Sequence, residues 1–405
     1  MSSSSVVARI SWLKMLFVSP LVISTAVQGQ DREPGINQPQ TIDLLVAEYA
    51  RYGAQVWAKN PSALIAGEGE ACVSCHTSLP YALVEPLLPG SDPAYNELLE
   101  NIDARIRTWS DNTPWYTHEK LEDMAALSNG SAERAKQFLL APDSRGSEAV
   151  LNAFIRAMQD AYEQREASQP TRLAFENLWN EQIKSGDKAG RWKWIFANLI
   201  PWEASDSDIW GASLACVAAS LYPELSPDQN LDLLYTTLAE ASQNPDISLH
   251  AKAAVLWCNS ETDGDVLEEV EAEQLAARLL SAQRQDGGWA LVELGPWTGW
   301  SGSGRDCCER RVVRSDLYAT GFVTLVLSRA TENTVNEEQR IDDAVAWIDR
   351  KLSTPYPAGP SYNTLRTAEE RVPEFREQLY TNGGAMWAYL AKSIRMTDRA
   401  PWDAQ

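Results

Sequence analysis

Apolar residues recur along most of the chain at the spacing of one face of an α-helix. The clearest example is GSEAVLNAFIRAMQDAY, whose apolar face carries Leu151, Phe154, Ile155, Met158 and Tyr162. The same spacing predicts helices over Thr41–Trp57, Tyr95–Trp109, Arg172–Lys184, Leu231–Ala241, Leu249–Trp257 and Glu271–Gln283. No segment alternates convincingly with a period of two, so the pattern predicts an all-α protein.

A repeat is visible when three segments are aligned. SDIWGASLACVA from Ser207 and SDLYATGFVTLV from Ser315 agree in residue type at nearly every position, and TNGGAMWAYLA from Thr381 follows the same plan more loosely. Each of these segments is small or apolar nearly all round, and an amphipathic helix precedes it. Alternation of this kind is typical of an outer ring packed on a buried inner ring. We therefore expect an α/α toroid.

An α/α toroid would have an apolar pocket on its axis, and we expect aromatic residues of the inner helices to line it. The candidates are Trp210, Tyr318 and Trp387, for which ordinary core packing is the alternative. The inner helices begin with Ser-Asp or a similar pair. These residues commonly cap helices, so we assign Asp208 and Asp316 a structural role.

The net charge limits the expected partners, and the first residues of the chain indicate the compartment. The net charge of −21 excludes nucleic acid and anionic lipid as expected partners. Arg9 and Lys14 precede an apolar run, Met15–Val27, that is too short for a stable membrane span and is typical of a secretory signal. We predict a signal peptide over residues 1–29 and a periplasmic or secreted mature protein that has no stable membrane span.

The segment GEGEACVSCHTSLPYALVEP contains Cys72, Cys75 and His76 in the order C-x-x-C-H. Covalent haem attachment needs two thiols at this spacing, followed at once by a histidine that binds the iron. A thioredoxin-like dithiol would need a βαβ setting and a structural zinc site would need a second ligand pair, and neither is present. A plain disulfide is the remaining alternative. The sequence favours one covalent haem c, with His76 as the proximal ligand.

The second axial ligand of the iron is open. His118 and Met124 lie nearest in sequence and are the distal candidates, although a methionine in a helix is most often part of the core. The other candidates in the mature chain are Met158, His250, Met386 and Met396.

Several motifs resemble known families. RLLSAQRQDGGWA, with Gln283, Asp286 and Trp289, resembles the glutamine-tryptophan repeat of squalene cyclases and protein prenyltransferase β subunits, whose fold is the α/α toroid. EQIKSGDKAGRWKW from Glu181 is a degenerate copy of it. In chain order, CVSCHT, SRGSEAVLNA, LHAKAAVLWCNS, QDGGW and SDLYATGFV resemble a group of bacterial secreted proteins that join a c-type haem motif to such repeats. The resemblance implies the fold and the haem, but not a reaction.

Two further features of these families are incomplete. Asp306 and Cys308 have the D-x-C spacing of the prenyltransferase zinc site, but the later histidine is missing. The D-x-D-D acid motif of squalene cyclases is also absent, which counts against cyclisation. Disulfides involving Cys307 or Cys308, or a bridge from Cys216 to Cys258, are favoured over a zinc site.

The predicted organisation is a signal peptide (1–29), a helical haem c segment (30–140) and toroid repeats (141–405). The leading hypothesis is an exported haem c protein that takes part in electron transfer or oxidation near an apolar pocket, with a redox partner protein and an isoprenoid-like or other apolar ligand. One alternative is a lipid-binding, peptide-binding or haem-based sensing module without catalysis. Another is a terpene cyclase or lyase, which the missing acid motif disfavours. Whether the chain is an enzyme is left open.

Overall fold

Helices form the regular structure of this chain. The computed structural model describes residues 42–58, 73–117, 143–196, 200–297, 313–330, 335–353, 383–397 and 399–403. These ranges contain twelve α-helices and three short 3₁₀ turns and no β-strand, so the all-α prediction is confirmed. None of the helices within these ranges is long and apolar enough to cross a membrane.

The first six helices are α1 (Ile42–Ala58), α2 (Ser78–Val84), α3 (Pro93–Arg107), α4 (Arg145–Tyr162), α5 (Gln169–Glu181) and α6 (Ser207–Leu221). The other six are α7 (Asp228–Gln243), α8 (Leu249–Glu261), α9 (Glu269–Ser281), α10 (Leu317–Arg329), α11 (Val335–Leu352) and α12 (Gly383–Thr397).

Capping residues set several helix starts two or three positions earlier than the apolar periodicity suggests. α3 begins after Asp92, whose carboxylate accepts from a first-turn amide, and Pro93 occupies the first helical position. α5 begins after Ser168 in the same way. Asp316 caps α10 by accepting from the amide of Ala319 at 2.8 Å, as the sequence predicts.

Asp208 differs from Asp316 because it does not cap its helix. Its buried carboxylate instead pairs with Lys188 (2.9 Å) and Arg191 (3.5 Å), so its role is to join α6 to the segment that precedes it. The residue before α6, Asp206, accepts a hydrogen bond from the backbone amide of Ser248 at 2.7 Å. The starts of α6 and α8 are therefore tied together.

The even-numbered helices form a closed circuit of contacts. Each of α2, α4, α6, α8, α10 and α12 packs on the next, and α12 packs on α2. Five odd-numbered helices pack on them: α5 lies on α4, α7 on α6 and α8, α9 on α8, α11 on α10 and α12, and α1 on α12 and α2. The sixth, α3, packs on α5 and α1. Gly321 of α10 allows its helix to approach α12 closely, because a Cβ there would lie 2.4 Å from the backbone nitrogen of Ala388.

The glutamine-tryptophan motif joins neighbouring elements by hydrogen bonds. The Gln283 amide donates to the carbonyl oxygens of Gly287 and Arg340, at 2.9 and 2.7 Å. The indole of Trp289 donates to the carbonyl of Leu279 at 2.7 Å.

The degenerate copy of the motif makes the corresponding contacts. Gln182 donates to the carbonyls of Gly190 and Asn230, and Trp192 donates to Leu178 at 2.7 Å. Gly190 and Gly287 have φ of +80° and +94°, a left-handed conformation that suits glycine. The two copies are therefore equivalent in structure as well as in sequence.

The even-numbered helices begin at a common end, which we call the N-terminal mouth. The described residues that lead into α6 and α10 cover 182–196, 200–206, 282–297 and 313–316, and they contain no α-helix. The described connections at the opposite end are short, as in 163–168, 222–227 and 262–268. Functional residues concentrate on long loops held by a rigid scaffold, so the N-terminal mouth is where a site is expected.

A disulfide joins Cys216 of α6 to Cys258 of α8, with 5.7 Å between the Cα atoms. Both cysteines are fully buried. One of the disulfide pairings that the sequence left open is therefore present, while Cys307 and Cys308 lie outside the described residues.

Candidate functional site

The second half of the C-x-x-C-H motif forms a tight turn that leads into α2. Ser74 holds this turn, because its hydroxyl accepts from the backbone amides of Thr77 and Ser78, at 3.2 and 3.1 Å. Cys75 and His76 are therefore side by side at the N-terminus of α2. Both are buried, with 7% and 5% of their surface exposed.

The last helix of the chain covers the motif. The backbone amide of Gly383, the first residue of α12, donates to the carbonyl oxygen of His76 at 3.0 Å. A Cβ on Gly383 would lie 2.4 Å from that same oxygen, so only glycine allows this approach. α12 thus fixes the backbone of the motif directly at His76.

A tryptophan from a connecting loop packs against His76. The ring of Trp202 lies 6.3 Å from the His76 ring, centroid to centroid, and Trp202 is fully buried. Its loop is secured from both sides: Trp194 donates to the carbonyl of Trp202 at 2.7 Å, and Ser207 donates to the carbonyl of Pro201 at 2.9 Å.

Trp202 is also bonded to a buried tyrosine–histidine pair. Its indole N–H donates to the hydroxyl oxygen of Tyr318 at 2.9 Å, and that hydroxyl lies 2.7 Å from Nε2 of His250. Burial lowers the pKa of His250 to about 3, so the imidazole is neutral. Burial also raises the pKa of Tyr318 well above its ordinary value, which keeps the phenol protonated.

The pair lies within a cluster of aromatic rings near the starts of the even-numbered helices. His250 stacks on Trp210 at 6.5 Å and contacts Phe322 at 5.2 Å. Tyr318 contacts Trp387 at 6.3 Å. The three aromatics expected to line an axial pocket are thus fully buried in this cluster and belong to its packed core.

Two polar atoms in this cluster lack a partner. The indole nitrogens of Trp210 and Trp387 are buried and make no hydrogen bond within the described part of the chain. Buried donors without acceptors are uncommon in native proteins.

The predicted site residues are distributed unevenly. Cys72 directly precedes the described range that begins at Val73, and His118 and Met124 also lie outside the described residues. Of the other axial-ligand candidates, Met396 is 70% exposed, Met158 and Met386 are buried, and His250 belongs to the aromatic cluster. The structure therefore brings Cys75 and His76 together, and it links His76 to His250 through Trp202 and Tyr318.

The residue that connects the motif to the cluster, Trp202, was missed by the sequence analysis. It follows Pro201, and the same Pro-Trp dipeptide recurs at Trp297, whose ring lies 5.8 Å from His250. Both prolines follow a cis peptide bond. Pro-Trp dipeptides occur at 114–115, 201–202, 296–297 and 401–402, and the first three precede even-numbered helices. They were a signal available in the sequence, but loop tryptophans have no periodicity that marks them.

The residues that are described fit a haem c. Thr77 Oγ1 lies 3.1 Å from Nδ1 of His76, so a proton held there leaves Nε2 as the nitrogen that could bind iron. Cys75 supplies one of the two sulfur atoms that thioether attachment uses. The buried aromatic ring of Trp202 beside His76 suits a flat apolar group. Comparison with known proteins adds nothing to this picture, because no family model matches the chain and no curated protein matches it significantly.

Proposed function

We propose that this protein is an exported α/α toroid that carries one haem c on Cys72, Cys75 and His76 and uses it in electron transfer or oxidation. The observation that carries the proposal is the position of Cys75 and His76. They lie adjacent and buried at the start of α2, in the N-terminal mouth, with an aromatic wall on one side.

The circuit of even-numbered helices, with odd-numbered helices outside it, supports the toroid. The geometry of the two glutamine-tryptophan motifs supports it independently. The proposed toroid therefore draws support from contacts as well as from the sequence repeat.

Export is supported by the Cys216–Cys258 disulfide, since structural disulfides persist in oxidising compartments and are rare elsewhere. Such a compartment also suits the predicted signal peptide over residues 1–29 and periplasmic or secreted localisation.

In the proposed function, haem iron would supply reversible one-electron chemistry. Cys72 and Cys75 would anchor the group, and His76, with Nδ1 held by Thr77, would present Nε2 to the iron. Trp202 and Tyr318 would exclude water from the histidine side of the group. A redox partner protein would accept or deliver the electrons.

An isoprenoid-like ligand has no free space among Trp210, Tyr318 and Trp387, because these side chains are packed against other rings. Such a ligand would need the cluster to open, or would have to bind beside it. We therefore place the redox role before the binding role.

The test is the pyridine haemochrome spectrum of denatured protein, made in a periplasm with c-type haem assembly machinery. A thioether-type band is expected from the native chain and from a Cys216→Ser/Cys258→Ser variant, which loses two cysteines elsewhere. The band should be absent from Cys72→Ala/Cys75→Ala. Folded native protein without haem would overturn the proposal. If the native haem protein binds CO when reduced, the iron is open and gas sensing becomes the favoured function.

A further inference from the structure

The most unusual polar feature of the molecule is a chain of hydrogen bonds enclosed by aromatic rings. It runs from Trp202 Nε1 to Tyr318 Oη to His250 Nε2, with lengths of 2.9 and 2.7 Å. All three side chains are at most 1% exposed. Buried polar groups are costly unless they are satisfied, so a complete chain of this kind holds its members in one arrangement.

The direction of the first bond in the chain is fixed. The Trp202 indole can only donate, so the Tyr318 oxygen accepts from it. The second bond joins the Tyr318 hydroxyl to Nε2 of His250, and the tautomer of the imidazole decides which of the two donates. In either case, the Tyr318 hydroxyl is the group that joins Trp202 to His250.

Ring packing fixes the far end of the chain. The His250 imidazole contacts Trp210 on α6 and Phe322 on α10. Phe322 in turn stacks parallel to Tyr318, with 5.9 Å between centroids and 1° between planes. The aromatic rings therefore leave His250 and Tyr318 little freedom to turn.

The near end of the chain meets the C-x-x-C-H motif. The Trp202 ring packs edge-on against Tyr318 with 4.7 Å between centroids, and it lies 6.3 Å from the His76 ring at a tilt of 46°. Tyr318 thus fixes the orientation of the Trp202 ring on one side, and the other side of the ring packs against His76.

We propose that Trp202, Tyr318 and His250 form a positioning chain that sets the orientation of His76 as the axial ligand of the haem iron. The proposal rests on the haem c function above. Groups that contact an axial ligand on the side away from the metal fix its ring plane and tune the properties of the metal. Here that role falls to a tryptophan that residues of the inner helices hold in place. Tyr318 and His250 act through Trp202 and are positioning residues.

The central variant is Tyr318→Phe, which keeps the ring and removes the hydroxyl that joins Trp202 to His250. The matched control is Thr324→Val on the same helix, because Thr324 is fully buried and its hydroxyl has no hydrogen-bond partner among the described residues. The measurements are haem content, the low-spin EPR spectrum of the oxidised protein and the midpoint potential.

We expect Tyr318→Phe to keep full haem content, to replace one low-spin EPR signal by a broadened or multiple one, and to shift the midpoint potential. Thr324→Val should match the native protein in all three. Trp202→Phe should change the EPR signal as well. Adding Tyr318→Phe to Trp202→Phe should produce no further change, since the chain is already interrupted.

Three results would overturn the positioning chain while haem c remained established. The first is an unchanged EPR spectrum and potential in Tyr318→Phe. The second is additivity of the Trp202 and Tyr318 substitutions. The third is CO binding that appears in His250→Gln and is reversed by imidazole, which would make His250 an iron ligand itself. Absence of haem from the native chain would instead overturn the proposed function.

Discussion

Breaking the Cys216–Cys258 disulfide should remove a large part of the stability of the helical core. The bond joins cysteines that are 42 positions apart in sequence. Closing a loop of that size restricts the unfolded chain, and the chain-entropy relation assigns it about 4 kcal/mol at 25 °C. Typical domains have a net stability of about 5–15 kcal/mol, so the loss is a large fraction of the total.

The assay is equilibrium unfolding in guanidinium chloride, followed by far-ultraviolet circular dichroism, with and without a reductant. The native chain should unfold at lower denaturant when reduced, corresponding to a difference of about 4 kcal/mol. Cys216→Ser/Cys258→Ser should unfold at the same denaturant concentration in both conditions. Ser213→Ala is the packing control, since Ser213 is buried on α6 and bonds only within its helix.

The comparison also tests the compartment. If reduction changes the unfolding free energy of the native chain by less than about 1 kcal/mol, the cross-link does not stabilise the core. The disulfide would then give no support to export, and the argument from it would fail.

Three further predictions concern the motifs and the mouth. Trp289→Phe removes the indole donor to a buried carbonyl of α9. It should lower the free energy of unfolding, measured with denaturant, by about 1–2 kcal/mol more than Trp179→Phe does. Trp179 is the control because its indole has no partner within the described ranges. Burial raises the pKa of Asp316 to about 6 from 3.8, so the folded state binds the proton more tightly and this group's contribution to stability should fall as pH rises through that interval. In Asp316→Asn the dependence of the unfolding free energy on pH between 4 and 6 should weaken, by up to about 3 kcal/mol over the interval, and an unchanged slope would contradict the assignment. Gly383→Ala should lower haem incorporation, because its Cβ would press on the His76 carbonyl. Gly321→Ala of α10 is the control, because its Cβ would press on the α12 backbone at Ala388 and not on the motif; it should cost stability of about 1–3 kcal/mol but leave haem content per folded protein unchanged.

The long helices could be predicted from the sequence because their apolar faces are regular. α4 and α8 are examples, and the copies of the inner helices revealed the repeat. α2 was not predicted as a helix, since its seven residues give too little periodicity to detect. Its start depends on Ser74, whose capping role is visible only when its hydroxyl is seen to accept two amides.

The candidate site could be predicted only in part. Cys75 and His76 were found because their spacing has a chemical meaning that is independent of the fold. His250 was one candidate among several, because a lone histidine on an apolar helix does not reveal its neighbours. Trp202 and Gly383 contact the motif from 126 and 307 positions away along the chain, and such pairings depend on how the circuit of helices closes.

The closure of α12 on α2 also sets an order of events. His76 lies 307 positions before Gly383 in the chain, so the C-x-x-C-H motif is synthesised before the helix that covers it. Until α12 packs on α2, the bond from Gly383 to His76 cannot form. In the proposed function, this order would leave an interval for covalent attachment of the haem before the core closes over the site.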